Sequence, residues 1–186
     1  MRVLAISGSL RRDSHNTHLL RAAAEVVPPD VELEIWDGLK AVPPYDHDDD
    51  GDIAPEGAEA LRNAIAGADA LLIATPEYNH SIPGQLKNAL DWASRPFEHN
   101  VLRNKPAAVI GASTGMFGAV WAQAEVRKVL AAAGARVVDR ELPVGQAHLV
   151  LDRDGPPDPE LAARLGELLY ALRSEVDART LVGAAA

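Results

Sequence analysis

At 186 residues, 19.8 kDa and no cysteine, the chain has the size of one domain able to bury about 70% of its unfolded surface, and disulfides, thiolate metal sites, Fe–S clusters and a cysteine nucleophile are excluded. A net charge of −9, from 27 acidic against 18 basic residues, disfavours nucleic acid as a partner, because phosphate neutralisation needs clustered Lys and Arg. The apolar run at 1–6 is far too short for a secretory signal or a spanning helix, so the expectation is one cytoplasmic domain over 1–186 with no membrane contact.

The first predicted strand, 2–7, opens into Ser7-Gly8-Ser9-Leu10-Arg11-Arg12-Asp13-Ser14-His15-Asn16-Thr17 and then into a helical pattern at Leu19/Leu20/Ala23/Val26. Gly8 permits a tight turn, Ser9 and Ser14 offer hydroxyls, and Arg11 offers a guanidinium fork. Asn16 and Thr17 sit where the helix begins, with its free N–H groups. Such a turn makes a phosphate site without a metal. It lacks both the Gly-x-Gly-x-x-Gly and the Gly-Lys-Ser/Thr spacings. The competing reading is that Ser14 or Asn16 only caps the helix and Arg11 is solvated. His15 and His18 supply two imidazoles and no third ligand, so no metal is expected there.

The second strand, 31–37, alternates polar and apolar residues as an edge strand does. Asp46-His47-Asp48-Asp49-Asp50-Gly51 then matches the opening of a calcium loop. Its twelfth position is Gly57 rather than Glu, and Pro43, Pro44 and Pro55 argue against flanking helices. A solvated charge run is the expectation. A helix at Ala58/Leu61/Ile65 and a third strand at 69–75 lead into the second informative segment, 75–88.

There Pro76 and Pro83 fix the backbone around Glu77-Tyr78-Asn79-His80. Peptide N–H groups, the Asn79 amide and the Tyr78 ring together suit the edge and face of a flat heterocycle; Glu77 is either a ligand or a cap or ion-pair partner. A helix follows at Leu86/Ala89/Leu90/Ala93, then a fourth strand at 107–113, a helix at Val126/Val129/Leu130/Ala133 and a fifth strand at 136–141. A Pro/Gly run at 154–159 precedes the last helix, Leu161/Leu165/Leu168/Leu172, and residues 183–186 read as a frayed tail. The few aromatic rings, Tyr45, Tyr78, Trp92, Phe97, Phe117 and Trp121, are each candidates for core packing or for a planar ligand.

Five strands alternating with helices predict an α/β fold: a doubly wound five-stranded parallel sheet of order 2-1-3-4-5, with helices on both faces. Its switch point lies between the first and third strands, from which both informative loops depart.

Ser-Gly-Ser-Leu-Arg-x-x-Ser-x-Asn-x-x-Leu at 7–19, Pro-Glu-Tyr-Asn-x-Ser-Ile-Pro-Gly-x-Leu-Lys-Asn-Ala-Leu-Asp-Trp at 76–92, and Ser-Thr-Gly at 113–115 with Ala-Gln at 122–123 resemble the NADPH-dependent FMN reductases of flavodoxin-like fold, a group that includes quinone, chromate and azo reductases. The resemblance spans roughly 2–140. It implies FMN and NADPH as cofactors, with Ser9, Arg11, Ser14, Asn16 and Thr17 on the FMN phosphate. Pro76, Glu77, Tyr78 and Asn79 would lie along the isoalloxazine, with Ser113 and Gly115 closing its other side. Backbone N–H groups of 76–79 would stabilise the reduced ring. The cofactor carries the chemistry, so no catalytic acid or base and no metal ligand is nominated. The implied cycle is ping-pong, to a small-molecule acceptor. The implied assembly is a homodimer or homotetramer through the helices after 76–83 and 113–118. Trp121 stands where the family usually has arginine. The alternatives are a flavodoxin-type electron carrier without a nicotinamide site, and a flavin-free protein that kept the fold.

Overall fold

In the computed structural model, residues 1–51, 53–151 and 156–184 are described. In chain order the elements are β1 (Arg2–Ser7), α1 (His15–Glu25), β2 (Glu32–Trp36), a 3-10 turn (Gly38–Ala41), α2 (Glu56–Ala66), β3 (Ala70–Thr75), α3 (Gly84–Ala93), β4 (Pro106–Ala112), α4 (Val120–Ala132), β5 (Arg136–Val137), β6 (Pro143–Val144), the single turn α5 (Ala147–Val150) and α6 (Pro159–Ala184). The strands are parallel in the order β2-β1-β3-β4-β5, with β6 also beside β4. That is the expected doubly wound topology, with the switch point between β1 and β3.

Period-two alternation divides the core. Val3, Ala5, Leu72, Ala108 and Ile110 face α1 and α6, whereas Leu4, Ile6, Leu71, Ile73 and Val109 face α2, α3 and α4. β3 and β4 are buried along their whole length, because helices cover both faces. The edge strand β2 buries none of its residues fully.

The fifth predicted strand, 136–141, is corrected. Arg136 and Val137 pair with β4, the chain leaves the sheet over 139–141, and it returns as Pro143–Val144 beside the far end of β4. Asp139, Arg140 and Glu141 are three consecutive charges that a strand buried on both faces cannot hold. They turn outward, and Arg127 of α4 pairs with Asp139 and, at 3.0 Å, with Glu141. Buried Gln123 bridges the detour, accepting the Leu142 N–H at 3.3 Å and donating to the Gly118 carbonyl at 2.9 Å.

Two smaller corrections follow. Pro55 sits at the N-cap of α2 rather than preventing a helix; a proline there costs nothing, because the first N–H groups of a helix are unpaired anyway. α6 continues through Gly183 and Ala184 instead of fraying from 183. Ala185 and Ala186, like Asp154 and Gly155 of the Pro/Gly run, lie outside the described residues.

Candidate functional site

The loops after β1, β3 and β4 leave the same end of the sheet and bring together all the predicted site residues. Gly8 makes the first of them possible. Its N–H donates to the Ala74 carbonyl at 2.8 Å, and a Cβ there would stand 2.7 Å from the Leu86 side chain. The chain then passes half-buried Ser9 and exposed Arg11 to reach Ser14, whose Oγ accepts the Asn16 N–H at 3.2 Å as the N-cap of α1. Ser14 therefore caps the helix, and a cap leaves the remaining first-turn amides of His15 and Thr17 pointing off the helix end.

Asn16 does something the sequence did not reveal. Its buried side chain grips one residue of β4: Oδ1 accepts the Ala112 N–H at 2.9 Å and Nδ2 donates to the Ala112 carbonyl at 3.0 Å. Its contribution toward a phosphate is thus limited to its position on the first turn. Thr17 Oγ1 donates to Ser7 Oγ at 3.0 Å, and Ser9 Oγ accepts the Arg11 N–H at 3.3 Å. The turn is organised before any ligand arrives.

The loop after β3 is a tight hairpin. Tyr78 and Ser81 exchange backbone hydrogen bonds at 3.2 and 3.1 Å, and Asn79 and His80 between them both have positive φ, 53° and 59°. Two consecutive left-handed residues define the turn that suits strand twist, and Asn tolerates that region well. The Tyr78 N–H is consequently engaged within the loop and is removed from the amides expected to face a ring. Half-buried Pro76 follows β3 directly, its carbonyl accepting Thr75 Oγ1 at 2.7 Å, and the Tyr78 ring is 55% exposed.

Glu77 reaches across to α4. Its Oε2 accepts the N–H groups of Trp121 and Ala122, each at 3.1 Å, and its Oε1 lies 3.5 Å from His80 Nδ1. A carboxylate there satisfies first-turn amides and the positive end of the helix dipole. Of the two readings of Glu77, the cap is the one its side chain fulfils. Ser81 Oγ donates to Glu125, a second tie between this loop and α4.

The loop after β4 is held from a segment that sequence reasoning passed over. Ser113 N–H donates to the Val144 carbonyl at 3.1 Å, and Ala147 and Gln146 N–H groups donate at 2.9 Å to the carbonyls of Ser113 and Gly115. Gly145 was the available signal. A Cβ on it would stand 2.2 Å from the Met116 carbonyl oxygen, so only glycine lets the two backbones meet.

The polar residues of the 85–92 motif also have a structural use. Gln85 Nε2 donates to the carbonyls of Leu39 and Val42, both at 2.8 Å, while Asn88 Nδ2 and Trp92 Nε1 donate to the Pro43 carbonyl at 2.8 and 2.9 Å. α3 thus clamps the loop that follows β2. Trp92 and Tyr45, edge-on at 4.9 Å, belong to this packing, whereas Phe97, Phe117 and Trp121 are exposed. In the acidic run Asp46–Asp49 are solvated, but Asp50 is buried against Arg62 at 2.7 Å and is no free ligand.

FMN fits this arrangement on the chemistry of the donors. The first turn of α1 carries no acidic residue, so its dipole is uncompensated and Arg11 adds to it. Those groups suit a phosphate dianion. The exposed Tyr78 ring and the open Ser113–Gly115 turn leave room for a flat group beyond it.

The profile of the NADPH-dependent FMN reductase family matches residues 1–149. Among characterised proteins, the chain is 48% identical over 131 residues to a 2-hydroxy-1,4-benzoquinone reductase of Burkholderia sp, 70% of each chain being covered. It is 42% identical over 156 residues to an NAD(P)H-dependent FMN reductase of Pseudomonas aeruginosa, covering 83% of each. The solved structure of a flavoenzyme NAD(P)H:(acceptor) oxidoreductase from Paracoccus denitrificans superposes with a TM-score of 0.86 at 35% identity, covering 96% of this chain and 98% of that one. These likenesses favour a reductase over an electron carrier.

Proposed function

Since the chain belongs to the NADPH-dependent FMN reductase family, using FMN and NAD(P)H as an oxidoreductase, we propose that its acceptor is a quinone-class molecule reduced by two electrons at the loops described above. The observation that carries this reading is the first turn of α1, which bears no acidic residue, beside Arg11 at the switch point of the sheet, from which the 76–81 hairpin also departs. When bound, FMN supplies hydride acceptance from NAD(P)H and electron return to the acceptor; the residues of the chain bind and orient it.

Ser9, Arg11, Ser14 and the first-turn amides of His15 and Thr17 hold the phosphate, with Asn16, whose own N–H is taken by Ser14, contributing only its place on that turn. Pro76, Tyr78 and Asn79 border the ring, with the amides of Glu77 and Asn79 left to face its reduced form, and Ser113 and Gly115 close the other side. The Asn16 and Glu77 side chains act as positioning residues, one fixing α1 to β4 and the other fixing the hairpin to α4. No side chain is assigned a proton-transfer role. NAD(P)H and acceptor use the same opening in turn, which makes the cycle ping-pong.

The domain assignment, one unit over 1–186, is supported by a single sheet with a core on each face. A homodimer is supported by Met116, Phe117 and Trp121, which are 79%, 63% and 41% exposed around the same opening; exposed apolar groups in such a cluster suit a partner surface. Trp121 offers the partner an aromatic face where the family offers a cation. Among the described residues no helix is long and apolar enough to cross a membrane.

The test is anaerobic addition of NADPH to the FMN-loaded protein. Loss of the flavin's visible absorbance, regained on adding a benzoquinone, is the expected result. A flavin spectrum indifferent to NADPH and NADH would overturn the reading. Sedimentation equilibrium showing only monomer at micromolar concentration would overturn the dimer.

A further inference from the structure

A second cleft opens between the start of α1 and the stretch from His148 to Leu151, with Pro156 and Asp158 also on its wall. It encloses about 740 Å³, several times what a phosphate ion fills. Arg11, His15 and His18 line it from one side and His148 from the other. It shares Arg11 with the turn assigned to the FMN phosphate, whereas Ser9, Ser14 and Thr17 are not among its described lining residues.

Its charges are unevenly engaged. Among the described residues two carboxylates reach the cleft, and both already have partners: Asp158 Oδ1 accepts the N–H groups of Glu160 and Leu161 at 2.9 and 3.3 Å, and Asp13 Oδ1 lies 3.2 Å from His18 Nε2. Arg11 and His148 are exposed toward the opening. The Nδ1 atom of His15 is buried and has no hydrogen-bond partner among the described residues, which is costly unless something pairs with it. Leu149 and Val150, 69% and 41% exposed, give the same cleft an apolar wall. A guanidinium converging with imidazole groups beside an apolar wall suits a phosphorylated group attached to a flat base.

We propose that this cleft binds the phosphorylated adenosine part of a dinucleotide, with a phosphate ester on Arg11, His15 and His148 and the base against Leu149 and Val150. It rests on the FMN reading only in that Arg11 stands between the two sites. Burial, and then the charges of Arg11, His18 and His148, hold the His15 imidazole below its ordinary pKa. A bound anion reverses the charge part of that effect. Binding therefore tightens as pH falls through the imidazole range.

The experiment titrates FMN-loaded protein with adenosine 2′,5′-bisphosphate and, separately, with 5′-AMP, reading the histidine imidazole resonances by NMR and the affinity by calorimetry. The expected result is saturable shifts of His15 and His148 with FMN still bound, and an affinity weakened about fivefold or more in His148→Gln. His148 is exposed, so its replacement leaves the fold and FMN affinity unchanged. Preference for the bisphosphate identifies NADPH as the source of the group. If instead FAD binds the flavin-free protein more tightly than FMN, and His148→Gln abolishes that advantage, the source is the flavin.

Three outcomes overturn the proposal: no imidazole shift at millimolar bisphosphate, equal binding by His148→Gln, or expulsion of FMN by the bisphosphate, which would merge the two sites. A protein that holds no FMN would refute the flavin reading separately, and the same titration on that protein would still report on the cleft.

Discussion

Two helix N-termini meet at the carboxyl end of the sheet, and they are finished in opposite ways. α1 is capped by its own Ser14, carries no acid in its first turn and has Arg11 nearby. α4 has no side-chain cap of its own, and Glu77 supplies a carboxylate to it from another loop. Both ends offer amides and a positive dipole. Only the first is left free for an incoming anion. The contrast teaches that an anion site is defined as much by which helix end stays unneutralised as by which residues surround it.

The largest test of that comparison concerns the strut behind the open end. Asn16→Leu leaves the Ala112 N–H and carbonyl buried without partners, and stability should fall by roughly 2–5 kcal/mol in urea denaturation. A loss under about 1 kcal/mol would mean that the grip on β4 is replaceable, for instance by water.

Next comes the plugged end. Glu77→Ala should destabilise by about 1–2 kcal/mol through loss of the α4 cap. Glu77→Gln keeps an acceptor oxygen and should recover most of that. Equal losses in the two variants would show that charge, not the hydrogen bonds, holds the hairpin to α4.

Arg11→Met probes the open end directly. FMN affinity should weaken about tenfold, ~1.4 kcal/mol, with the thermal midpoint of the FMN-free protein unchanged because the side chain is exposed. Unchanged affinity by fluorescence titration would leave the phosphate to the backbone alone.

His80→Gly removes a non-glycine residue from φ 59° and should stabilise by about 0.5 kcal/mol in the same urea assay. A destabilisation would instead assign value to the His80 contacts with Glu77 and with the Trp121 ring, which lies edge-on at 4.7 Å.

The smallest expected effect is a pH dependence. The fold holds the His15 imidazole below its ordinary value of 6.5, so the unfolded chain takes up the proton first as pH drops. Stability is therefore lost as pH falls through about 6.5 toward the folded-state pKa, and is constant below that. His15→Phe should flatten this slope between about pH 7.5 and about pH 5.5, measured by urea midpoints.

Much of this molecule was legible in the chain because its signals are local. Apolar runs such as Leu71-Leu72-Ile73-Ala74, helical spacings such as Ala58/Leu61/Ile65, and glycine at the turn after β1 each report a backbone choice that neighbouring residues enforce. The strand order followed from right-handed crossovers, and the position of the candidate site followed from the strand order. The fifth strand misled because Arg136, Val137 and Val138 carry a strand pattern while the three charges after them decide where it stops.

Sequence by itself determined the fold class, the two loops that matter and the family to which their motifs point. Tertiary structure alone decided the work of individual polar side chains. Asn16 and Glu77 are written like ligands and Gln85 and Asn88 belong to the same motifs, yet their partners Ala112, Trp121, Leu39 and Pro43 lie tens of residues away. A buried amide or carboxylate takes whichever donor or acceptor folding brings within about 3 Å. That choice depends on long-range contact, which residue spacing does not encode.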